Sequence, residues 1–514
     1  MSHTVSSLWC QNLTAQNLSQ LYLERNKNLS RHFAHCDDGR AFTYGAFWEL
    51  AGRLQARLAG AGVTRGDRVA MQVDKSIEAL ALFWACVRGG FIFLPLNTAY
   101  TASEVSYFLG DAQAAVFVTT PQRFSEMQGV ASSVGCAHLF TLDDQGTGSL
   151  LEGAVATTEP LRELSWDDCA AILYTSGTTG RSKGAMLSHG NLASNGLALV
   201  DIWRFTAKDR LLHALPIYHT HGLFTATNTV IFSGAELLFR RKFSAEDIVA
   251  KLPLATTMMG VPTFYTRLLQ KPDFNRTATD HMRLFISGSA PLMAETHRAF
   301  QQRTGHAILE RYGMTETSMN ASNPYEGSRL AGTVGFALPH IDIRIVDPAT
   351  GDVLAAGCDG MIEVKGPNLF KGYWRNPQKT AEDMRPDGYF ITGDLGRFDA
   401  QGYLVISGRA KDLVITGGIN VYPKEIEALL DGLPGISESA VIGVPHPDFG
   451  EAVVAVVACI EDVDEISVLA ALKPKLAGFK LPKRVIAVRE LPRNAMGKVQ
   501  KAELRRLHEG LFKH

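Results

Sequence analysis

Through the first third of the chain, apolar positions switch between helical and strand spacing. From Phe47 to Ala61 they recur every three or four residues, which predicts an amphipathic helix ending at Gly62 and the turn Arg65-Gly66-Asp67. Arg68 to Val73 reads as a strand, Lys75 to Arg88 as a helix closed by Gly89-Gly90, and Phe91 to Leu96 as a further strand. Ala170 to Tyr174 is continuously apolar, as expected of a strand buried on both faces. The alternation predicts an α/β body, with mixed and parallel sheets flanked by helices.

The pattern changes after Gly332. Ile341 to Val346, Gly360 to Val364, Gly388 to Thr392 and Tyr403 to Ser407 are short strand-like runs separated by Gly, Pro, Asp and Asn. They predict a small, mostly antiparallel unit over about residues 332–409, expected to close as a β-barrel subdomain. A last segment reads as strand Asp412 to Ile415, helix Pro423 to Leu430, strands Ala440 to Val444 and Ala452 to Ile460, and a basic helical tail. The expected division is an N-terminal domain over 1–409 and a smaller α+β domain over 410–514.

With 514 residues, 46% apolar and 20% charged, the chain has room for large cores and lacks the signature of disorder. A formal net charge of -1 argues against a nucleic-acid binder that relies on bulk positive charge. Yet Lys473 to His514 holds 12 Lys plus Arg against 3 acids, a local balance of +9. A solvated basic helix face accounts for such a tail as well as a surface that meets a polyanion does. The seven cysteines are scattered and never form a CxxC pair, which fits reduced side chains in the cytoplasm. No apolar run approaches the roughly 20 residues of a membrane span, and the N-terminus carries no secretory pattern. A cytoplasmic protein without a membrane partner is expected.

The stretch richest in chemistry is Tyr174-Thr175-Ser176-Gly177-Thr178-Thr179-Gly180-Arg181-Ser182-Lys183-Gly184, directly after a buried strand. Its glycines permit close backbone approach, its hydroxyls and N–H groups can wrap phosphate oxygens, and Arg181 and Lys183 add charge. The spacing is not that of a Walker loop.

Further motifs follow in order: SGSAPL (Ser287 to Leu292), ERYGMTET (Glu310 to Thr317), TGD (Thr392 to Asp394), GRAKDLVITGGINVYPKEIE (Gly408 to Glu427) and PRNAMGK (Pro492 to Lys498). Together they resemble the adenylate-forming superfamily of acyl-CoA synthetases, luciferases and non-ribosomal adenylation domains. HALPIYHTHGLF (His213 to Phe224) and GVPTFYTRLLQ (Gly260 to Gln270) are similar to the branch of that superfamily that activates malonate. The resemblance implies activation of a carboxylate with ATP and Mg2+, then transfer of the acyl group to coenzyme A. It places Thr175 to Lys183 on the phosphates, Thr315 on the α-phosphate and Glu316 on Mg2+. Ser287, Ser289, Ala290 and Pro291, with Glu310, Arg311, Tyr312 and Gly313, would line the adenine pocket. Asp394 would accept both ribose hydroxyls beside Arg409, a task for an acceptor-only group. Lys498 would bridge carboxylate and phosphate as the adenylate forms. Lys411 would be the hinge of a mobile C-terminal domain, and Gly417 and Gly418 would admit the pantetheine arm of coenzyme A. Thr175, Glu316, His219 and Lys498 are the expected catalytic set.

What selects the acid is less constrained. A malonate-sized site must neutralise a second carboxylate, preferably with a bidentate arginine. Strand alternation puts Arg283, Phe285 and Ser287 on one side, making Arg283 the leading candidate beside a purely structural role. His219 resembles the acyl-pocket histidine, while His219-Thr220-His221 also has metal-like spacing without an evident third ligand. Met258, Met259 and Tyr265 either shorten the pocket or belong to the core. A short-chain monocarboxylate ligase, a module that loads a carrier protein and a luciferase-type oxygenase remain alternatives. A mobile lysine at 498 is also open to a protein acetyltransferase, which would remove its charge.

Overall fold

The computed structural model describes residues 8–156, 161–175, 182–416, 419–459, 463–494 and 497–512. The chain divides into two compact units. One comprises Met1–Ile343 with Val364–Phe390; the other comprises Arg344–Glu363 with Ile391–His514.

The first unit holds two large sheets. In the six-stranded sheet the order is His138–Thr141, Ala114–Thr119, Arg68–Gln72, Ile92–Pro95, Cys169–Thr175 and Lys183–Ser188. Its pairings are parallel except for the hairpin between the last two strands, where Thr175 faces Lys183. The nine-stranded sheet includes Thr257–Gly260, Leu284–Ser287 and Leu309–Met314 as parallel neighbours, followed by antiparallel Ser318–Ser322. Helix Ile77–Gly89 is apolar around its circumference and buried along its length, with Ser76 as N-cap and Gly90 as a left-handed C-cap at φ 70. Trp84 there meets the ring of Tyr22, which stacks on Trp48. The core therefore lies around this helix. The segments that begin at Gly288 and Thr315 follow directly on strands Leu284–Ser287 and Leu309–Met314.

The expected barrel is a four-stranded sheet instead, in the order Asp342–Val346, Gly360–Lys365, Phe390–Phe398 and Leu404–Arg409, with no pairing between its end strands among the described residues. Turn spacing predicted the strands but could not report whether two distant edges meet. Beyond it, Ile436–His446 pairs with Gly450–Cys459 in a long hairpin, and Arg484–Val488 adds in parallel. Helix Pro423–Leu430 packs on strand Leu404–Arg409, and Arg505 pairs with Asp412 at 2.6 Å. These contacts hold the strand to the C-terminal elements, so the expected boundary at 409/410 falls inside the second unit. Among the described residues, no helix is long and apolar enough to cross a membrane.

Candidate active site

Strand Leu309–Met314 turns sharply through Thr315, Glu316 and Thr317 into Ser318–Ser322. Gly313 permits this, since a Cβ there would lie 1.9 Å from the Ser318 carbonyl oxygen. The turn is held from outside: Phe370 donates its N–H to the Glu316 carbonyl at 2.8 Å, and Asn368 Nδ2 donates to the Thr317 carbonyl at 2.7 Å. The Glu316 side chain is buried. Its Oε1 accepts from the hydroxyls of Tyr373 at 3.1 Å and Thr175 at 3.4 Å. Burial, then the charges of Glu316 and Asp383, push the Tyr373 phenol far above its ordinary pKa, so it remains a donor.

Thr175 ends one arm of the hairpin and Lys183 starts the other. Residues 176–181, the heart of the expected phosphate loop from Ser176 to Arg181, lie outside the described residues. At the loop's exit the Ser182 carbonyl accepts from Tyr107 Oη at 2.8 Å. Lys183 Nζ lies 5.0 Å from the centroid of the Tyr373 ring. Burial, then the Lys379 ammonium, lowers the Lys183 pKa. Tyr373 thus connects Glu316 to Lys183, although no sequence pattern marked it; 57 residues separate it from Glu316.

A second cluster surrounds the end of strand Leu284–Ser287. Ser289 there has φ 71, a left-handed conformation costing about 1–2 kcal/mol for a residue with a side chain. Its Oγ lies 3.2 Å from His221 Nδ1. Ala290 and Pro291 continue as an exposed lip. His221 opens the wound segment His221–Ala226, and His219 precedes it with its carbonyl accepting from Leu223 N–H at 2.8 Å. Gly222 is pressed on Pro216, where a Cβ would meet the carbonyl oxygen at 2.1 Å. His213 Nε2 lies 2.9 Å from the Gly222 carbonyl, and Lys75 Nζ lies 2.6 Å from His213 Nδ1. The fully buried Lys75 is pushed well below the ordinary lysine pKa by desolvation. This chain of contacts ties the histidine loop to the core, and nothing in the spacing of Lys75 announced it.

Several polar atoms in this cluster have no hydrogen-bond partner among the described residues: Ser287 Oγ, His221 Nε2, and Nε and Nη2 of Arg311. Arg311 is buried, and burial pushes its pKa down to about 9. Burial, then Arg311, keeps His221 neutral well below the ordinary histidine range. Along the same strand Glu310 points the other way, its Oε1 accepting from Gly332 N–H at 3.3 Å. Tyr312, the next residue along the strand after Arg311, is also buried. Tyr265 is core: its hydroxyl donates to the Ile286 carbonyl at 2.5 Å. Met258 and Met259 are core as well.

Arg283 is not in this cluster. It precedes the strand at the end opposite Ser287, where Nε and Nη2 grip Asp209 Oδ1 and Oδ2 at 2.7 and 2.9 Å, and Nη1 donates to the Trp203 carbonyl. Alternation does not report position along a strand: Arg283 lies four residues before Ser287, about 13 Å away at roughly 3.3 Å per residue.

The second unit holds the remaining residues. Asp394 is buried and faces Arg409 across an antiparallel pair; Arg409 Nε reaches its Oδ1 at 2.7 Å. Lys411 is exposed in the 3-10 turn Ala410–Asp412. Gly417 and Gly418 lie outside the described residues. Lys498 is exposed in a turn where its N–H donates to Asn494 Oδ1 at 3.0 Å and its carbonyl accepts from Asn494 N–H at 2.9 Å. Gly497 allows the turn with φ 74.

Residues 23–374 match the family model described as AMP-binding enzyme, and residues 425–498 match its C-terminal domain. The chain belongs to the AMP-binding enzyme family. Among curated relatives, a malonate–CoA ligase of Arabidopsis thaliana is 34% identical, over 91% of this chain and 85% of its own length. An indoleacetate–CoA ligase of Aromatoleum aromaticum is 35% identical, over 91% and 93%. Among solved structures, ATP-bound MatB from Rhodopseudomonas palustris is 53% identical with a TM-score of 0.93, over 96% of this chain and 99% of that one. Two family members that differ in acid stand at nearly equal identity, so the side chains at the acid end must discriminate.

Proposed function

We propose that the protein is an ATP-dependent, AMP-forming ligase that joins malonate, and with it methylmalonate, to coenzyme A. One observation carries the choice of acid: buried polar atoms of Ser287, His221 and Arg311 stand without partners where an indole would demand apolar walls. The malonate–CoA ligase of Arabidopsis thaliana supports the same reading.

In the first half-reaction a carboxylate oxygen of the acid attacks the α-phosphorus of ATP and pyrophosphate departs with the electron pair. In the second, the coenzyme A sulfur attacks the acyl carbonyl and AMP leaves. The fit to Mg2+ is good. Glu316 offers a buried hard-oxygen ligand fixed by two hydroxyl donors, and Mg2+ takes one or two carboxylates together with phosphate oxygens. Bound there, the ion would neutralise phosphate charge. Thr175, Ser176 to Ser182, Lys183 and Thr315 are assigned to the phosphates, and Ser289, Ala290, Pro291, Glu310, Tyr312 and Gly313 to the adenine. Asp394 and Arg409 are assigned to the ribose. His219 and Ser287 flank the reacting carboxylate. Lys498 supplies a mobile positive charge in the first step, which makes its acetylation an off-switch. Lys411 is proposed as the hinge between half-reactions and Gly417-Gly418 as the coenzyme A entry, in a cytoplasmic enzyme.

The test is CoA-dependent AMP release across malonate, methylmalonate, acetate, propionate and succinate. Malonate is expected to give the highest kcat/KM. A preference for acetate or propionate would overturn the choice of acid, and pyrophosphate release without CoA consumption would overturn the second step.

A further inference from the structure

We propose that Lys75 and His213 are positioning residues of the acid site: acting through the Gly222 carbonyl, they fix the loop that carries His219 and His221. The proposal rests on the ligase reading above, which puts that loop beside the acid. Lys75 is 7% exposed and His213 is wholly buried. Polar groups so placed cost stability, and a core built for packing alone would hold apolar side chains at both positions.

Their contacts run in one direction, towards the loop. Lys75 Nζ lies 2.6 Å from His213 Nδ1, donates to the His213 carbonyl at 2.9 Å and stands 4.4 Å from the centroid of the Phe239 ring. Phe239 also stacks on the imidazole, with 10° between the planes and 5.6 Å between centroids, which keeps the ring in its plane. The far nitrogen, Nε2, lies 2.9 Å from the Gly222 carbonyl. A carbonyl only accepts, so Nε2 carries the proton, and in the neutral imidazole Nδ1 accepts from Lys75. Burial, then the Lys75 amine, keeps His213 in that neutral form, well below the ordinary histidine range.

Gly222 is where the relay reaches the site. It lies in the segment His221–Ala226, wound more widely than an α-helix, a form that occurs mostly as single turns at functional positions. On one side of it, His221 Nδ1 lies 3.2 Å from Ser289 Oγ; on the other, the Leu223 N–H is bound by the His219 carbonyl. A carbonyl fixed between those two contacts sets the place of both histidines, which is how a supporting residue acts on a site it does not touch.

The experiment compares wild type, Lys75→Met, His213→Gln, His213→Leu and the variant carrying both Lys75→Met and His213→Leu. It reads KM for malonate, KM for ATP, the melting temperature, and nitrogen NMR spectra of labelled histidine. Methionine fills the volume of the lysine without its amine and suits an aromatic face, so Lys75→Met should melt no lower than wild type. Its KM for malonate is expected to rise about tenfold while KM for ATP changes by less than ~3-fold. His213→Gln keeps an N–H for the Gly222 carbonyl and should lose only about threefold, which also covers a leucine variant that fails to fold. His213→Leu should lose at least as much as Lys75→Met, and adding Lys75→Met to it should cost nothing more, because the lysine acts only through the histidine. The His213 resonances, assigned by their loss in His213→Gln, should show a protonated Nε2 in wild type and an Nδ1 that moves towards an unbonded ring nitrogen in Lys75→Met. An unchanged KM for malonate in Lys75→Met would refute the proposal, as would equal rises in both KM values, additive losses in the double variant, or a neutral ring with its proton on Nδ1. A wild type that uses a monocarboxylate better than malonate would instead remove the choice of acid, and the same split between acid and ATP is then read with that monocarboxylate.

Discussion

Glu316 and Arg311 sit five residues apart on one strand-and-turn, both buried and both charged, yet their surroundings differ in kind. The carboxylate of Glu316 is held by Tyr373 and Thr175, and its backbone by Phe370. The guanidinium of Arg311 has Nε and Nη2 unmet among the described residues. The first group is fixed by donors already in place; two nitrogens of the second are not met by any described residue. A protein that tolerates an unmet buried cation carries a stability cost that binding removes. The part of a site that chooses the substrate is then the part that looks least satisfied without it.

The largest test of that contrast is Glu316→Gln. Loss of the charge should lower malonate-dependent AMP release by about 10³-fold, as expected when a preorganised electrostatic group is removed. Steady-state kinetics with saturating malonate would show it, and a loss under tenfold would put Glu316 outside the nucleotide chemistry.

Next is Gly288→Ala. The new methyl cannot coexist with the guanidinium at 2.2 Å, so Arg311 must move. Malonate kcat/KM is expected to fall about 100-fold with acetate much less affected, as for a displaced positioning group. Equal losses for both acids would indicate general damage to the site.

Arg283→Ala supplies the opposite case, an arginine whose fork is already filled. Removing it leaves the buried Asp209 uncompensated, so stability should fall by about 2–4 kcal/mol while the malonate-to-propionate ratio holds. Urea denaturation and the same two-acid assay measure both, and a changed ratio would return Arg283 to the acid site.

The smallest effect concerns Asp431, a carboxyl with the mirror-image problem. Burial, against the hydrogen bond from Ser439, raises its pKa to about 6. A raised carboxyl pKa favours the protonated form on folding, so stability is lost as pH rises from about 4 to about 6. Asp431→Asn should therefore stabilise the protein by about 1–2 kcal/mol at pH 7.5, after allowance for solvent screening, and by nearly nothing at pH 4. Melting curves at the two pH values decide it; equal shifts would mean that charge is not the cause.

Much of the fold was legible because it is written locally. Helix Pro423–Leu430 and the strands around Arg68 and Ala170 follow from periodicity and turn residues. The β unit was legible as strands but not as a sheet, because closure depends on which distant edges meet. Glu316, Thr175 and Lys183 were legible through their motifs. Arg311 was visible in the same motif, but sequence does not show that two of its buried nitrogens are unmet among the described residues. Tyr373 and Lys75 were illegible for a simpler reason. Each acts through one long-range contact, to Glu316 and to His213, that no local spacing encodes.

The most direct measurement is a crossed one: KM for MgATP and KM for malonate in Glu316→Gln and in Arg311→Gln. The two corners are predicted to separate, with Glu316→Gln raising KM for MgATP and leaving that for malonate, and Arg311→Gln doing the reverse. If both variants raise the same constant, the division of this strand into a nucleotide corner and an acid corner is wrong.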